Sequence, residues 1–257
     1  MYSRAPPAYQ HKCSFVGKVV TRTLKKKTSS CQGTHTGPCI RIATESDKVK
    51  QIAKKLGLSA VDISNLAKRN IKSRQLRDLN SHSRYIDDIV IHAVNKLLQQ
   101  VFPTIGGFED TLYINVPTCR KKASPVAANI FYVGDRRHYV ASVYASDNEI
   151  YYYDSLNPGS RPRPKVIRQF EEAYNIKSGG YQVKSYICQK QGNVDCAVYS
   201  MANIWCVLKG YNPSRVLLTE NGLRKELLQS LISGHISFSC NKCNDRGNPI
   251  VYTYTCP

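Results

Sequence analysis

The feature that most constrains this chain is an ordered series of short strand and helix patterns between residues 126 and 209. Three strand patterns come first, followed by an amphipathic helix, another strand pattern and an apolar helix. Their bounds are residues 126–133, 138–145, 149–155, 164–174, 181–188 and 196–209. The short turn at residues 145–148 predicts that the second and third strands pair as an antiparallel hairpin. Strands and helices in this order predict an α+β domain.

Composition and pattern divide the chain into four segments. The 42% hydrophobic residues exclude wholesale disorder. Helical patterns at residues 85–99 and 217–232 flank the strand series, and residues 1–45 are rich in Pro, Gly, Ser and Thr. We therefore predict four segments: a basic irregular arm at 1–45, a basic helical hairpin at 46–82, the α+β domain at 83–240 and a cysteine-containing tail at 241–257.

The positive charge is concentrated near the N-terminus. The whole chain has 37 Lys and Arg against 18 Asp and Glu, a formal net charge of +19. Residues 1–82 hold 17 of these basic side chains and 4 of the acidic ones. Such a segment is attracted to polyanions, which predicts weak, nonspecific nucleic-acid binding through residues 1–82. A solvated basic segment with no dedicated ligand is the alternative.

Part of the second segment has the spacing of a helix-turn-helix. Ala53, Gly57, Ile63 and Leu66 stand where that motif has a small residue, a turn glycine and two branched apolar residues. Ser59 is suited to cap the second helix. The alternative is a helical hairpin that packs on its neighbour, and four positions do not predict sequence-specific DNA recognition.

Cysteine content and the missing targeting signals bear on the cellular compartment. Ten cysteines would suit a secreted disulfide scaffold, but residues 1–20 show no apolar signal region, and no run of about 18 apolar residues predicts a membrane span. We therefore expect a nuclear or cytoplasmic protein with no membrane association, and Lys25–Lys27 hints at nuclear entry. Free thiols, a metal site and a catalytic thiol are the remaining uses of cysteine.

Two cysteine groups are candidates for zinc, although neither has a familiar ligand spacing. The C-terminal group is a Cys-x-x-Cys pair with one later cysteine and an upstream histidine. Its members are Cys240, Cys243, Cys256 and His235; the N-terminal group is Cys13, Cys31 and Cys39 with His11 and His35. Free thiols are the favoured interpretation of both groups, so no metal and no cofactor are expected.

Three short polar stretches at the ends of the predicted elements contain the candidate catalytic residues. His138 begins a strand, Asp154 lies at the end of the next, and Cys196 begins a helix after the Gln189-Lys-Gln191 loop. An antiparallel hairpin brings His138 and Asp154 to one edge of the sheet. A cysteine nucleophile needs an imidazole to exchange its proton and a carboxylate to fix the imidazole tautomer. A helix N-terminus favours the thiolate, and a nearby Gln with the Cys196 N–H can form an oxyanion hole.

These stretches resemble the ubiquitin-like-protein-specific cysteine proteases, which include the SUMO proteases and, more distantly, the adenovirus-type proteases. The matching residues are His138-Tyr, Tyr153-Asp154-Ser-Leu and Gln191-Gly-Asn-Val-Asp195-Cys196. The resemblance covers about residues 85–240 and is greatest to divergent members found with mobile elements. It implies a papain-like fold with a central, mainly antiparallel sheet and the nucleophile at a helix N-terminus. It also implies a His138–Asp154–Cys196 triad and thiol-dependent cleavage after the C-terminal tail of SUMO, a related ubiquitin-like modifier or a polyprotein.

Three positions depart from the family pattern. Tyr139 replaces the usual Trp after the histidine, and Ala197 replaces the usual Gly after the cysteine, where a methyl group could hinder substrate approach. The family Gln commonly stands six residues before the cysteine, a position that Lys190 occupies here. Gln191 and Gln189 flank it, and Gln191 is favoured as the oxyanion donor. The alternative function is a catalytically impaired, mobile-element-derived module that only binds its partner.

Overall fold

A six-stranded mixed sheet organises the described part of the fold, which we analyse in a computed structural model. The structure describes residues 43–111, 125–134, 137–145, 148–192, 194–218, 220–239 and 251–255. The strands lie in sequence order: β1 (Gly106–Gly107), β2 (Ala127–Val133), β3 (His138–Ala145), β4 (Glu149–Tyr153), β5 (Gln182–Tyr186) and β6 (Val251–Thr255). The β2–β3, β3–β4 and β5–β6 pairs are antiparallel, whereas β1–β2 and β4–β5 are parallel.

Helices cover both faces of this sheet. They are α1 (Glu45–Lys55), α2 (Ala60–Lys68), α3 (Ser73–Leu79), α4 (Asp88–Val101), α5 (Pro164–Tyr174), α6 (Cys196–Leu208) and α7 (Glu220–Ser233). Because neighbouring strand residues point to opposite faces, Phe131 packs with α5 in one core cluster and Ile130 packs with α4, α6 and α7 in the other. The sheet therefore lies between two apolar cores.

The predicted α+β class is confirmed, and most predicted elements are present. The bounds of β3 and α5 agree with prediction, because β3 follows a β-branched and aromatic pattern and Pro164 is suited to the first turn of a helix. Helix α4 begins at Asp88, three residues later than predicted, since Asp87 caps it by accepting a hydrogen bond from Val90 N. Of the predicted 145–148 turn, residues 146 and 147 lie outside the described residues, but the β3–β4 hairpin itself is present.

The predicted helical hairpin is present as α1, a turn and α2, and the structure adds α3. Gly57 occupies the turn with a φ of 67°, which suits glycine, and capping boxes begin both helices at Thr44 and Ser59. Buried residues of α2 and α3 belong to the same core cluster as α4 and α7. The described residues from 43 onward accordingly belong to one compact unit, in which α1–α3 pack on the α+β domain.

The predicted C-terminal tail contains a strand that was not predicted, β6, although its Val-Tyr-Thr-Tyr-Thr run has the composition of a strand; it pairs antiparallel with β5. None of the described helices combines the length and the apolar character that crossing a bilayer requires.

Candidate active site

The β3–β4 hairpin and α6 bring three of the predicted site residues together. His138 is the first residue of β3, and Asp154 directly follows β4, whose Tyr153 pairs with Ala141 of β3. Helix α6 packs against β3, where the Ser200 hydroxyl donates to the carbonyl of Tyr139 at 3.2 Å. This packing places the start of α6 beside the start of β3.

His138 and Asp154 form a buried pair. His138 Nε2 lies 2.7 Å from Asp154 Oδ1, and the two side chains are only 5% and 8% exposed. Backbone N–H groups of Leu156 and Asn157 donate to the same Oδ1 at 2.9 and 3.1 Å, and the Tyr152 hydroxyl donates to Oδ2 at 3.3 Å. Asp154 is therefore held as an ionised acceptor.

The pair shifts both pKa values in the direction that favours charge on each partner. Burial acts to lower the pKa of His138, but hydrogen bonds and charges of Asp154 and Cys196 outweigh it and raise this pKa to about 9. Burial acts to raise the pKa of Asp154, but the His138 interaction and the backbone donors lower it below 3.8. The site thus stabilises an imidazolium next to a carboxylate.

Cys196 completes this arrangement from α6. Its side chain interacts with the His138 ring and helps to raise the pKa of His138. Because Nε2 is occupied by Asp154, Nδ1 is the ring nitrogen available to the sulfur. Cys196 is buried and is the first residue of α6, where backbone N–H groups lack intrahelical partners. Such donors and the helix dipole stabilise a thiolate.

Gln191 and Gln189 occupy different environments although both precede the same helix. Gln191 is anchored to the loop after Asp154, because its N–H donates to the Ser155 carbonyl at 2.9 Å and its Oε1 accepts from the Ser155 hydroxyl. Its Nε2 remains as a donor. Gln189 instead binds both backbone groups of Leu218, at 2.7 and 3.1 Å, and the Tyr199 hydroxyl at 3.2 Å.

The comparisons with known proteins found similarity in structure but not in sequence. No protein-family model matches the sequence, and no significant match exists among curated proteins. The C-terminal Ulp1 protease domain, solved in complex with Smt3, the yeast ortholog of SUMO, superposes with a TM-score of 0.52 at 15% identity, over 77% of this chain and 99% of that one. The chain has the fold of the Ulp1-type SUMO protease domain.

Two further structures have the same Ulp1-type fold. Ulp1 with its catalytic cysteine oxidised to a sulfinic acid matches with a TM-score of 0.54 at 16% identity, over 77% of this chain and 98% of that one. The catalytic domain of the Chaetomium thermophilum Ulp1-like SUMO protease matches with a TM-score of 0.51 at 17% identity, over 69% of this chain and 90% of that one. The α+β cysteine protease fold that the sequence resemblance implied is therefore confirmed.

The departures from the family pattern have defined places in the Ulp1-type fold. Ala197 is only 1% exposed and belongs to the core cluster beneath the sheet, so its methyl group packs inward. Tyr139 is nearly buried, and its ring lies 5.1 Å from that of Tyr132, which is 36% exposed. An aromatic surface is thus retained next to His138.

The predicted zinc candidates do not assemble within the described part of the chain. His235 is exposed, whereas Cys240, Cys243 and Cys256 lie outside the described residues, as do all the N-terminal candidates. Within the described ranges, no three His, Cys, Asp or Glu side chains are grouped closely enough to hold a metal ion.

Sequence reasoning missed four residues that position this site: Tyr152, Ser155, Asn157 and Arg224. The first three lie within three residues of Asp154, so their proximity in sequence was an available signal. Arg224 had no such signal. It lies on α7, 29 residues after Asp195, to whose carboxylate it is bonded at 2.7 Å.

Proposed function

We propose that this protein is a thiol-dependent peptidase or isopeptidase that cleaves after the C-terminal tail of SUMO or a related ubiquitin-like modifier. The observation that carries the proposal is the buried His138–Asp154 pair, together with Cys196 at the first residue of α6, which helps to raise the pKa of His138. A Ulp1-type fold with this arrangement at its site supports the reaction class. The complex of a structural neighbour with Smt3 supports the substrate class.

The geometry suits a two-step acyl transfer. The Cys196 thiolate attacks the scissile carbonyl carbon, and His138, which holds the thiol proton, donates it to the leaving amine as the carbon–nitrogen bond breaks. Water then attacks the thioester, His138 accepts a proton from it, and the thiolate leaves and is regenerated. Asp154 stays ionised throughout and fixes the orientation of the imidazole.

Gln191 is the better candidate for the oxyanion donor. Its Oε1 accepts from Ser155, which fixes the amide with Nε2 as the available donor. Together with the Cys196 N–H, this group can bind the negative oxygen of the tetrahedral intermediate. The Gln189 side chain is taken up by Leu218 and Tyr199, so we assign it a structural role.

Ala197 and Tyr139 are compatible with activity in this proposal. The methyl group of Ala197 is enclosed by the core and leaves the approach to Cys196 unobstructed. Tyr139, with the more exposed Tyr132, offers an aromatic wall for an extended peptide.

A panel of modifier precursors tests the function directly. SUMO, ubiquitin and Nedd8 precursors with short C-terminal extensions are incubated with the full chain and with Cys196→Ala. We expect cleavage of a SUMO-type precursor by the wild type only. Cys206→Ala, which removes another buried thiol from the same helix, is the matched control and keeps turnover.

The opposite result has a clear meaning. If no precursor is cleaved and Cys196 does not react with a SUMO carrying a C-terminal electrophile, the chain is not a protease of this class. Binding of unmodified SUMO without any cleavage would instead favour the alternative function of a catalytically impaired binding module.

We also propose weak, nonspecific nucleic-acid binding by the basic N-terminal part. Residues 45–84 contain ten Lys and Arg against four Asp and Glu. Most of these basic side chains, including Lys54, Lys55 and Lys68, are exposed on α1–α3. Contact with phosphates there would release counterions, which makes binding salt-dependent.

A further inference from the structure

The cap at the start of α6 differs from the other side-chain caps in this fold. Thr44, Ser59 and Asp87 each accept a hydrogen bond from the first turn of the helix that follows. Asp195 precedes α6, but its backbone (φ −99°, ψ 11°) lacks the extended conformation of those three caps, and its side chain makes no capping hydrogen bond. Its carboxylate is therefore free to take another partner.

Arg224 of α7 holds it. The guanidinium Nε donates to Asp195 Oδ1 at 2.7 Å, and Nη2 lies 2.6 Å from the same oxygen. Nη2 also donates to the carbonyl of Val194 at 3.4 Å, so both residues before the nucleophile are bound by one side chain. Arg224 is only 2% exposed.

The other bonds of the guanidinium fix it from the opposite side. Nη1 donates to the carbonyl of Asp78 in α3, and Nη2 donates to the carbonyl of Arg84 at 2.7 Å. Because these acceptors are backbone groups of packed segments, the planar guanidinium has one orientation, and that orientation fixes the Asp195 carboxylate.

We propose that Arg224 is a positioning residue for the nucleophile, because it holds and neutralises the Asp195 carboxylate that directly precedes Cys196. Without it, an unpaired carboxylate would directly precede the nucleophile. Its negative charge would then oppose formation of the Cys196 thiolate. The inference rests on the proposed function only in treating Cys196 as the nucleophile.

The charge balance at Cys196 involves groups from several elements. Those described are His138 and Tyr139 of β3, Asp154 after β4, Asp195 with Arg224, and Asp87 and Asp88 at the start of α4, which act on Tyr139. Of these, only Asp195 is adjacent to Cys196 in sequence and neutralised by a buried cation. Removal of that cation should therefore act on thiolate formation more than on the His138–Asp154 pair.

The test follows the alkylation of Cys196 by iodoacetamide against pH, measured on the Cys196 peptide by mass spectrometry in the folded full chain. In Arg224→Gln the pH of half-maximal rate is expected to rise by about one unit or more, since a like charge beside an ionising group has effects of this size. In the double variant Asp195→Asn with Arg224→Gln the midpoint is expected to return close to that of the wild type. Lys225→Gln, which removes an exposed charge from the same helix, is the matched control.

The double variant distinguishes a positioning role of Arg224 from a purely structural role. A residue with only a structural role would give no recovery when a second partner is removed. An unchanged midpoint in folded Arg224→Gln, or a raised midpoint in the double variant, overturns the proposal. If Arg224→Gln does not fold, the neutral pair Asp195→Asn with Arg224→Met decides alone: a wild-type midpoint supports the proposal and a raised one overturns it.

Alkylation requires no substrate, so this result is independent of which modifier is cleaved. A wild-type Cys196 that reacts no faster than a free thiol at pH 7 would count against the proposed function and not against the role of Arg224.

Discussion

His138 Nε2 and Asp154 Oδ1 lie 2.7 Å apart and buried, although 16 residues separate them in sequence. The antiparallel register of β3 and β4 brings the start of one strand next to the end of the other. The carboxylate is in turn fixed by backbone donors of its own loop. The relationship is therefore rigid before any substrate arrives, as catalysis by a positioned imidazole requires.

The first prediction concerns stability against pH. The pKa of His138 in the folded protein is about 9, above its usual 6.5. Protonated His138 therefore stabilises the fold fully below about pH 6.5, and this contribution is lost as the pH rises through 9. We expect the decrease in Tm between these two pH values to be smaller in His138→Gln than in the wild type, as measured by calorimetry. His82→Gln, at an exposed histidine, should behave as the wild type.

The second prediction concerns the carboxylate. Asp154→Asn should lower kcat by up to about 10⁴-fold and leave measurable activity, because Asp154 orients the imidazole without touching substrate. His138 should titrate below 9 in this variant, since the Asp154 hydrogen bond and charge help to raise its pKa. Histidine NMR titration and single-turnover kinetics measure these two effects. Asp110→Asn, which removes the partner of the half-exposed His92, is the control; if it lowered kcat as much, the proposed role of Asp154 would be wrong.

Substitutions of Gln191 and Gln189 are expected to have different effects, the first on catalysis and the second on stability. Gln191→Ala should lower kcat by about 10²–10³-fold with alkylation of Cys196 unchanged, because an oxyanion donor acts on the transition state. Gln189→Ala should instead lower the free energy of unfolding by about 1–3 kcal/mol, since it leaves Leu218 and Tyr199 without partners. Kinetics and urea denaturation of both variants test the assignment. A silent Gln191→Ala with an inactive Gln189→Ala would reverse it.

Restoring the family glycine should not increase activity. Ala197→Gly removes a methyl group that is buried in the core and lies in the first turn of α6. We expect a decrease of about 1 kcal/mol in the free energy of unfolding, because glycine has a lower helix propensity and no methyl group to pack in the core, with kcat/KM unchanged. A large gain in kcat/KM would show that the methyl group obstructs the substrate.

Nucleic-acid binding is expected to depend steeply on salt. Replacing Lys54, Lys55 and Lys68 by Gln should weaken binding and reduce the slope of log K against log salt by about 0.9 for each phosphate that is no longer neutralised. Fluorescence anisotropy with an unrelated 30-nucleotide duplex at several salt concentrations measures this. The matched triple variant at exposed Lys165, Lys177 and Lys225 should leave the slope unchanged. Absence of binding by the full chain at low salt would contradict the proposal.

Local sequence determined the elements that carry the site. The β-branched and aromatic run at His138–Ala145 and the Pro-initiated amphipathic pattern at Pro164–Tyr174 specify a strand and a helix through interactions within a few residues. The order His138, Asp154, Cys196 at the ends of such elements was sufficient to predict the chemistry that we propose. It was sufficient because a hairpin and a strand–loop–helix junction place these ends at one edge.

The remaining features of the fold and the site were determined by partners that are distant in sequence. Spacing could not decide between Gln189 and Gln191, because their side chains are directed by Leu218 and by Ser155, which are 29 and 36 residues away. The β-branched and aromatic run Val251–Thr255 favours a strand, but only the tertiary structure supplies its partner β5, and an isolated five-residue strand gains its stability from its neighbour. Arg224 and Asp195 meet only because α7 packs beneath the start of α6, and a buried charge acquires its role from the groups that the tertiary fold leaves around it.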